Sequence, residues 1–160
     1  MTKLIKSKDR VKKFAEVFTP DLVVNDMLNM VADNSKTDVF APEFTWLEPA
    51  AGTGNFVVEI LKRKFANCSN RKMRIKALKS VYAVELLQDN LDEMKARIRA
   101  ICIENGLYFV EYILDKNIIQ GNFLTGLDIN GKEIGFIDWF GDKKYHILNE
   151  IKQQSGTQNG

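Results

Sequence analysis

Apolar runs that end in acidic or amide side chains alternate with stretches of helical periodicity along this chain of 160 residues. Three of these runs, at 44–48, 81–85 and 117–123, predict strands because they are rich in β-branched and aromatic residues. Apolar residues at helical spacing follow the first two runs, from Phe56 to Phe65 and from Leu87 to Cys102. The pattern predicts an α/β fold with a mostly parallel sheet and flanking helices.

A glycine turn follows the first predicted strand. Gly52 and Gly54 permit positive φ and, without a Cβ, allow a ligand to lie against the backbone. The helix that starts near Phe56 presents its positive end to such a ligand. An ordinary strand-to-helix turn would explain the glycines alone, but acids at two strand ends favour a nucleoside-cofactor site. The chain has neither the Lys-Ser or Lys-Thr of a P-loop nor the third glycine of a dinucleotide site, so NAD is a weak alternative.

Polar residues end the other two predicted strands. Glu85 is placed to accept hydrogen bonds from ribose hydroxyls, although it would equally well cap the following helix. Asn122 and Phe123 follow a glycine, and an amide with an aromatic ring suits recognition of a purine. Gly-Asn is also a common turn sequence, so these two residues carry little weight alone.

The segments around this nucleus predict further elements. Thr19 as N-cap, with Pro20 and Asp21 in the first turn, predicts a helix whose apolar face consists of Val23, Met27, Met30 and Val31. The basic stretch 62–79 is interpreted as a helix end and a charged loop. Segments 134–140 and 143–148 flank Gly141-Asp142 and predict a hairpin.

The predicted domain spans residues 15–150. Residues 1–14 are expected to be a mobile basic arm and residues 151–160 a disordered tail. The bases are interpreted as solvated charge rather than a phosphate-binding surface, because no aromatic residues interleave with them in the sequence.

Composition indicates a cytoplasmic protein without a membrane span. No apolar run approaches the ~20 residues of a transmembrane helix, and there is no signal-peptide core. Cys68 and Cys102 lack paired spacing and His146 is the single histidine, so neither a zinc site nor a Cys-His nucleophile is expected. His146 is interpreted as a surface or strand residue.

The order of these motifs resembles the amino-terminal half of the N6-adenine-specific DNA methyltransferases of restriction–modification systems. It consists of Phe-Thr-Pro at 18–20, the glycine-loop segment 48–56, Val-Tyr-Ala-Val-Glu at 81–85 and Gly-Asn-Phe at 121–123. The resemblance runs from about Glu16 to Gly126 and is most specific in the glycine loop. It implies a Rossmann-like class I methyltransferase fold that binds S-adenosylmethionine.

The same resemblance assigns roles to individual residues. The first segment would fold over the cofactor, with Phe18 and Thr19 near its methionine carboxylate. The glycine loop would hold the methionyl portion, Glu85 the ribose, and Asn122 with Phe123 the adenine. The residues implied to bind the cofactor are Phe18, Thr19, Glu48, Pro49, Ala50, Gly52, Gly54, Asn55, Phe56, Glu85, Leu86, Asn122 and Phe123.

The chain departs from the family at the catalytic motif. That motif is Asn or Asp followed by Pro-Pro and an aromatic residue, which hold a flipped base, but the three prolines here are Pro20, Pro42 and Pro49. The family's target-recognition region is also missing, so the chain is expected to be truncated and inactive alone. It would be either the cofactor-binding part of a DNA methyltransferase or a non-catalytic methyltransferase-derived module. An independent enzyme is the least supported alternative.

The truncation also predicts partners. DNA would be engaged only through a missing or separate chain that carries the catalytic and recognition regions. In the family fold the first strand is central, so residues 44–48 are expected to have an unpaired edge here. The hairpin 134–148 or a second copy of the chain is expected to cover this edge.

Overall fold

The computed structural model describes residues 4–14, 16–141 and 145–157. The helices in this part of the chain are α1 Lys8–Phe14, α2 Asp21–Asn34, α3 Asn55–Ala66, α4 Arg71–Lys79, α5 Gln88–Glu104, α6 Glu111–Asn117 and α7 Leu148–Thr157. The strands are β1 Trp46–Glu48, β2 Val81–Glu85, β3 Ile118–Asn122, β4 Leu127–Asp128, β5 Gly135–Ile137 and β6 Tyr145–Ile147. Among the described helices, none has the length and apolar character needed to cross a membrane.

Four strands form a mostly parallel sheet in the order β1-β2-β3-β4. Strands β1, β2 and β3 are parallel, with Glu48 opposite Ala83 and Glu85 opposite Gln120, and β4 is antiparallel to β3. The predicted α/β class and mostly parallel sheet are therefore confirmed. Parallel register brings the carboxyl ends of β1, β2 and β3 to one edge of the sheet, where ligands bind in open α/β folds.

The two faces of the sheet are covered by different elements. Every residue of β2 is buried. Val81 and Ala83 join a core built with helices α2 to α6, whereas Tyr82 and Val84 pack against the hairpin β5–β6 and the start of α7. A strand buried on both sides needs the continuous apolar run that made β2 recognisable in the sequence.

The basic stretch 62–79 begins with the predicted helix end, the last turn of α3, but residues 71–79 are helical where a charged loop was predicted. Asn70 begins α4 by accepting a 2.9 Å hydrogen bond from the Met73 N–H, and the helix continues to Lys79. Ala77 and Leu78 are buried against the core. The sequence has no clear apolar period here, which is why a loop was predicted. Lysine and arginine are nevertheless good helix formers, so the segment can be helical without that period.

Helix α2 starts later than predicted and buries a different face. The cap position is Pro20, Thr19 makes no capping bond, and the helix begins at Asp21. Val24 and Leu28 face the core. The apolar residues predicted to do so are exposed: Val23, Met27, Met30 and Val31. Apolar residues cover a wider arc of this helix than the part that contacts α3. Periodicity alone therefore selected apolar residues of the exposed part of the arc instead of the buried part.

Both chain ends are more structured than the sequence predicts. Residues 8–14 of the predicted mobile arm form α1, and the Phe18 N–H donates a 2.7 Å bond to the Leu4 carbonyl. Residues 151–157 of the predicted disordered tail lie in α7, where Ile151 packs on the Tyr82–Val84 face of the sheet. Residues 1–3 and 158–160 of these two predictions lie outside the described residues. Tertiary packing supplies the order that the polar composition did not indicate.

The two strands of the predicted hairpin are confirmed, whereas residues 142–144 of that prediction lie outside the described residues. The hairpin does not extend the four-stranded sheet. Strands β5 and β6 pair with each other in a separate sheet, with Phe136 opposite His146. Strand β1 is therefore an edge strand within the described chain. The hairpin covers the face of the sheet beside β1, and Leu47, Phe136 and His146 line a small cavity of 220 Å³ between them. The hairpin does not pair with the β1 edge, and coverage of that edge by a second copy of the chain stays a prediction.

Candidate functional site

A cavity of 810 Å³ opens at the carboxyl ends of β1, β2 and β3. Its walls come from the segment before α2, the glycine loop, the end of β2 and the turn after β3. The predicted residues that line it are Phe18, Pro49, Ala50, Gly52, Glu85, Leu86, Asn122 and Phe123. Residues distant in sequence thus meet at one concave site, of the size typical for small-molecule ligands.

The two glycines of the loop serve different purposes. Gly52 has a φ of 56°, and a Cβ there would lie 3.2 Å from the Phe18 ring, which closes over the loop. Gly54 has a φ of 89°, and its Cβ would lie 2.6 Å from Cγ of Met94 in α5. Gly52 therefore allows close approach at the cavity, whereas Gly54 allows close packing of the loop against α5.

Glu85 connects the glycine loop to the start of α5. Its Oε2 accepts a 2.7 Å bond from the Gly52 N–H, and its Oε1 accepts bonds from the Leu87 N–H at 3.0 Å and from Asn90 Nδ2 at 3.2 Å. The side chain is buried yet lines the cavity. A carboxylate offers roughly four acceptor positions, so one remains for a ligand donor. Glu85 both orders the turn before α5 and retains capacity for a hydroxyl.

Two further polar residues line the cavity that the sequence analysis did not select. Glu16 Oε2 accepts bonds from Asn90 Nδ2 at 2.6 Å and Arg10 Nη2 at 2.7 Å. Glu16 Oε1 and Asn90 Oδ1 are buried and accept no hydrogen bond from the described residues. Asn90 is an amide within the apolar face of α5. This polar residue at a core position was the sequence signal that could have identified Asn90 as a site residue. Buried acceptors of this kind require donors, because leaving them unpaired is costly.

The amino-terminal segment is held over the site by charge. Arg10 donates to both Asp89 oxygens, at 2.6 and 3.0 Å, as well as to Glu16. Lys6 adds a 2.9 Å ion pair to Asp89. The Arg10 guanidinium holds the pKa of Asp89 well below its usual range, and Asp89 in turn raises the pKa of Arg10. The bases of the predicted arm are thus partly paired with α5 and position Glu16 at the cavity.

Five predicted residues lie outside the cavity wall: Thr19, Glu48, Gly54, Asn55 and Phe56. Asn55 acts as a link, since its Nδ2 donates a 2.8 Å bond to the Thr19 carbonyl and its Oδ1 accepts from Arg97 Nη1 at 2.7 Å. Phe56 packs on the main core. Burial raises the pKa of Glu48, which receives only a long 3.4 Å contact from the Ala50 N–H. These five residues do not line the 810 Å³ cavity, and their assignment to a ligand stays a prediction.

A neighbouring cavity of 430 Å³ lies on the other side of Phe18, and most of the residues that line it are polar or charged. Asn55 and Thr53 line it together with Lys6, Asp21, Glu93 and Arg97. Arg97 also donates a 2.8 Å bond to the Thr53 carbonyl. The glycine loop therefore separates a mixed apolar and acidic cavity from one that contains both signs of charge.

The turn after β3 supplies the remaining wall. Asn122 Oδ1 accepts a 2.9 Å bond from the Leu124 N–H, so Asn122 does form the local turn considered as an alternative. Lys152 of α7 lies 4.9 Å from the centroid of the Phe123 ring and donates a 2.7 Å bond to the Phe123 carbonyl. An ammonium group therefore covers the Phe123 ring from α7, an element that was predicted to be disordered.

Comparison with known proteins finds no match to the chain among family models, curated proteins or solved structures. The chemistry of the 810 Å³ cavity is therefore the main guide to function. Glu16, Glu85 and Asn90, whose side chains carry acceptor oxygens, all line it. Such a wall suits a ligand that carries hydroxyl, amine or positive charge and disfavours a ligand that places phosphates there.

Proposed function

We propose that this chain is the S-adenosylmethionine-binding part of an adenine-N6 DNA methyltransferase, with a class I methyltransferase-like fold. The observation that carries the proposal is the cavity at the carboxyl ends of the parallel strands, which Glu16, Glu85 and Asn90 line beside the glycine loop. Glu85 bonds the Gly52 N–H, and Glu16 Oε1 and Asn90 Oδ1 are buried acceptors without a donor among the described residues. The motif order of the methyltransferases coincides with the elements that build this cavity. DNA would be engaged through a separate segment or chain that carries the catalytic motif.

The residues fit the proposed ligand in size and charge. S-adenosylmethionine has ribose hydroxyls, two amino groups and a sulfonium, which match acceptor-rich walls. The pyrophosphate of a dinucleotide would lie near two carboxylates, those of Glu16 and Glu85, and would be repelled. Glu85 could accept a hydrogen bond from one ribose hydroxyl without losing a bond that it already makes. A second ribose hydroxyl could bond to Glu85 only if the bond from the Gly52 N–H or from Asn90 Nδ2 were broken.

Calorimetric titration tests this proposal directly. S-adenosylmethionine or S-adenosylhomocysteine should bind saturably, and NAD should not. Glu85→Ala and Gly52→Val should each weaken binding by about tenfold or more, because one removes an acceptor and the other forces Phe18 away from the loop. Glu104→Ala, which changes an exposed acid at the end of α5, is the matched control and should bind normally. Folded wild-type protein without heat or thermal shift for either ligand would refute the proposal.

A non-catalytic, methyltransferase-derived module is the second candidate. The sequence favours it in one respect, because the Pro-Pro motif that holds the target amine is absent from the given chain. Positioning of the target amine supplies much of such a catalyst's rate, so the chain alone should transfer no methyl group to DNA. Tritiated-methyl incorporation above a no-protein control, abolished by Gly52→Val, would contradict both this expectation and the module hypothesis. Methyl transfer that appears when a separate chain bearing the motif is added would favour the first proposal, that this chain is the cofactor-binding part of a DNA methyltransferase.

A further inference from the structure

Lysines and aromatic rings that are distant in sequence converge on one surface at the amino ends of β2 and β3. Lys79 Nζ lies 4.7 Å from the Trp139 ring centroid, and Lys76 Nζ lies 5.7 Å from that of Phe140. Trp139 packs edge-on against Tyr112 at 5.8 Å between centroids, and Lys116 Nζ lies 6.0 Å from the Tyr112 ring. We refer to Lys76, Lys79, Tyr112, Lys116, Trp139 and Phe140 as the basic–aromatic surface.

This surface is fixed to the sheet rather than carried on a free loop. Trp139 Nε1 donates a 2.9 Å bond to Asn117 Oδ1. Asn117 Nδ2 donates in turn to the carbonyls of Lys79 and Val81, both at 3.0 Å. Asn117 is buried at the end of α6, directly before β3. The rings therefore keep a defined spacing before any ligand binds, which lowers the entropic cost of binding.

The local field at the surface is positive. Helix α4 contributes bases without an acid, and none of Lys76, Lys79 and Lys116 forms an ion pair among the described residues. The two acids of α6 are neutralised by α5, since Glu111 pairs with Arg99 and Asp115 with Lys95. Asp138, next to Trp139, adds one negative charge and lies 3.1 Å from His146 Nε2. The three lysines outnumber this single acid, so the surface keeps a local excess of positive charge that attracts polyanions.

The rings decide which polyanion fits best. Tyr112 is 63% exposed and Phe140 is 44% exposed, so each offers an aromatic face or edge to solvent. A lysine that lies over an exposed ring contributes less free energy than a nucleobase stacked on it. A base can therefore displace the ammonium, which then becomes available to a phosphate. We propose that the basic–aromatic surface binds single-stranded nucleic acid, with bases stacked on Tyr112 and Phe140 and phosphates held by the three lysines.

The proposed site is distinct from the cavity. Glu85 and Asn122 lie at the carboxyl ends of β2 and β3, whereas Lys79 and Asn117 lie at their amino ends. Strands of this length separate the two sites by roughly 15 Å. The inference does not depend on the proposed methyltransferase function, because binding here needs no S-adenosylmethionine.

Fluorescence anisotropy with a labelled oligothymidylate tests the inference on the full chain. The oligothymidylate should bind about tenfold more tightly than an abasic strand of equal length, and more tightly than duplex DNA or polyglutamate. Its salt dependence should have a slope of about −2, as expected for three lysines on a single strand. Equal affinity for the oligothymidylate, the abasic strand and polyglutamate would reduce the surface to a general polyanion site and overturn the inference. Tighter binding of the duplex would also overturn it.

Variants separate stacking from charge. Tyr112→Ala and Phe140→Ala should each weaken oligothymidylate binding by about fivefold or more and leave binding of the abasic strand unchanged, while Tyr112→Phe should retain stacking. Lys76→Glu with Lys116→Glu should weaken binding of both strands and flatten the salt dependence. Lys36→Glu, which reverses an exposed charge after α2, is the control and should have no effect. Wild-type affinity in both alanine variants would refute the stacking role, and circular dichroism would verify that each variant is folded.

Discussion

The Gly52 N–H donates a 2.7 Å hydrogen bond to Oε2 of Glu85, which joins the loop after β1 to the end of β2. The same carboxylate accepts bonds from Leu87 and Asn90 at the start of α5. One buried acid therefore orders the glycine loop, the turn into α5 and the side chain of Asn90. This network forms within the protein itself, so its loss should affect stability as well as ligand binding.

Glu85→Ala should destabilise the unliganded protein by about 2–3 kcal/mol, because hydrogen bonds to a buried charged acceptor are lost and their donors are left unpaired. Urea denaturation of the ligand-free protein measures this effect. Glu104→Ala should change the free energy of unfolding by less than about 0.5 kcal/mol. If Glu85→Ala were as stable as the control, Glu85 would not organise the loop.

Gly54→Ala and Gly106→Ala form a matched pair that separates backbone strain from steric overlap. Both glycines have positive φ, 89° and 71°, but a Cβ at Gly54 would lie 2.6 Å from Met94 Cγ, whereas one at Gly106 would meet nothing within 4 Å. Gly106→Ala should cost about 1–2 kcal/mol from strain alone. Gly54→Ala should cost a further 1–3 kcal/mol, roughly, from overpacking. Equal costs in urea denaturation would mean that Met94 moves aside freely.

Lys64 predicts a dependence of stability on pH. This lysine is fully buried in α3 and donates to the carbonyls of Ala41 at 2.7 Å and Phe44 at 2.5 Å. Burial lowers its pKa to about 8, below the ordinary lysine value of 10.5. The unfolded chain therefore binds more protons than the folded chain between these two values, and the lysine favours folding increasingly as pH rises through that window.

Comparison with Lys64→Met isolates this effect, because other titrating groups are common to both proteins. The wild-type protein should gain stability relative to Lys64→Met as pH rises from 8 to 10.5, by up to about 3 kcal/mol. Below pH 8 the difference should be constant. Free energies of unfolding from urea titrations at several pH values provide the measurement. A difference that is independent of pH across the window would show that the lysine keeps its ordinary pKa when folded.

The parallel strands, the hairpin strands and the glycine loop were predictable from the sequence because their signals are local, whereas the two-residue strand β4 was not predicted. The run 81–85 is apolar throughout, as a strand covered on both faces must be, and the glycines mark the turn at which the chain reverses direction. Eight predicted cofactor-binding residues line one cavity because each follows a strand or precedes a helix of the same sheet edge. Because β1, β2 and β3 are parallel, residues at their carboxyl ends lie close together even though they are distant in the sequence.

Features that depend on distant parts of the chain were not predictable. The role of Glu16 requires Arg10 and Asn90, which approach it only when the arm folds back on α5. Lys64 was counted among solvated bases, yet it satisfies the carbonyls of a loop some 20 residues earlier. The basic–aromatic surface combines α4, α6 and the segment after β5, and among its lysine–ring pairs only Tyr112 and Lys116 are close together in the sequence.

The hairpin β5–β6 should stabilise the sheet through its face rather than through the β1 edge. Phe136 is buried and packs edge-on against Tyr82 at 5.2 Å between ring centroids. Phe136→Ala should therefore cost about 3–5 kcal/mol, as expected for a buried ring, whereas Phe140→Ala, which truncates a ring that is 44% exposed, should cost less than about 1 kcal/mol.

Deletion of all residues after Gly131 extends this test from the Phe136 ring to all of the segment that covers this face of the sheet, the hairpin β5–β6 and α7. The deletion removes Ile134, Phe136 and Leu148 and exposes Tyr82 and Val84 on the face of the central strand. A contiguous apolar face of this kind promotes association, so light scattering should detect aggregation or a larger oligomer. The result distinguishes two roles of the hairpin, because protection of the β1 edge alone would leave Phe136→Ala nearly as stable as Phe140→Ala. A stable monomer with an unchanged melting temperature after the deletion would show that the hairpin contributes nothing to the fold.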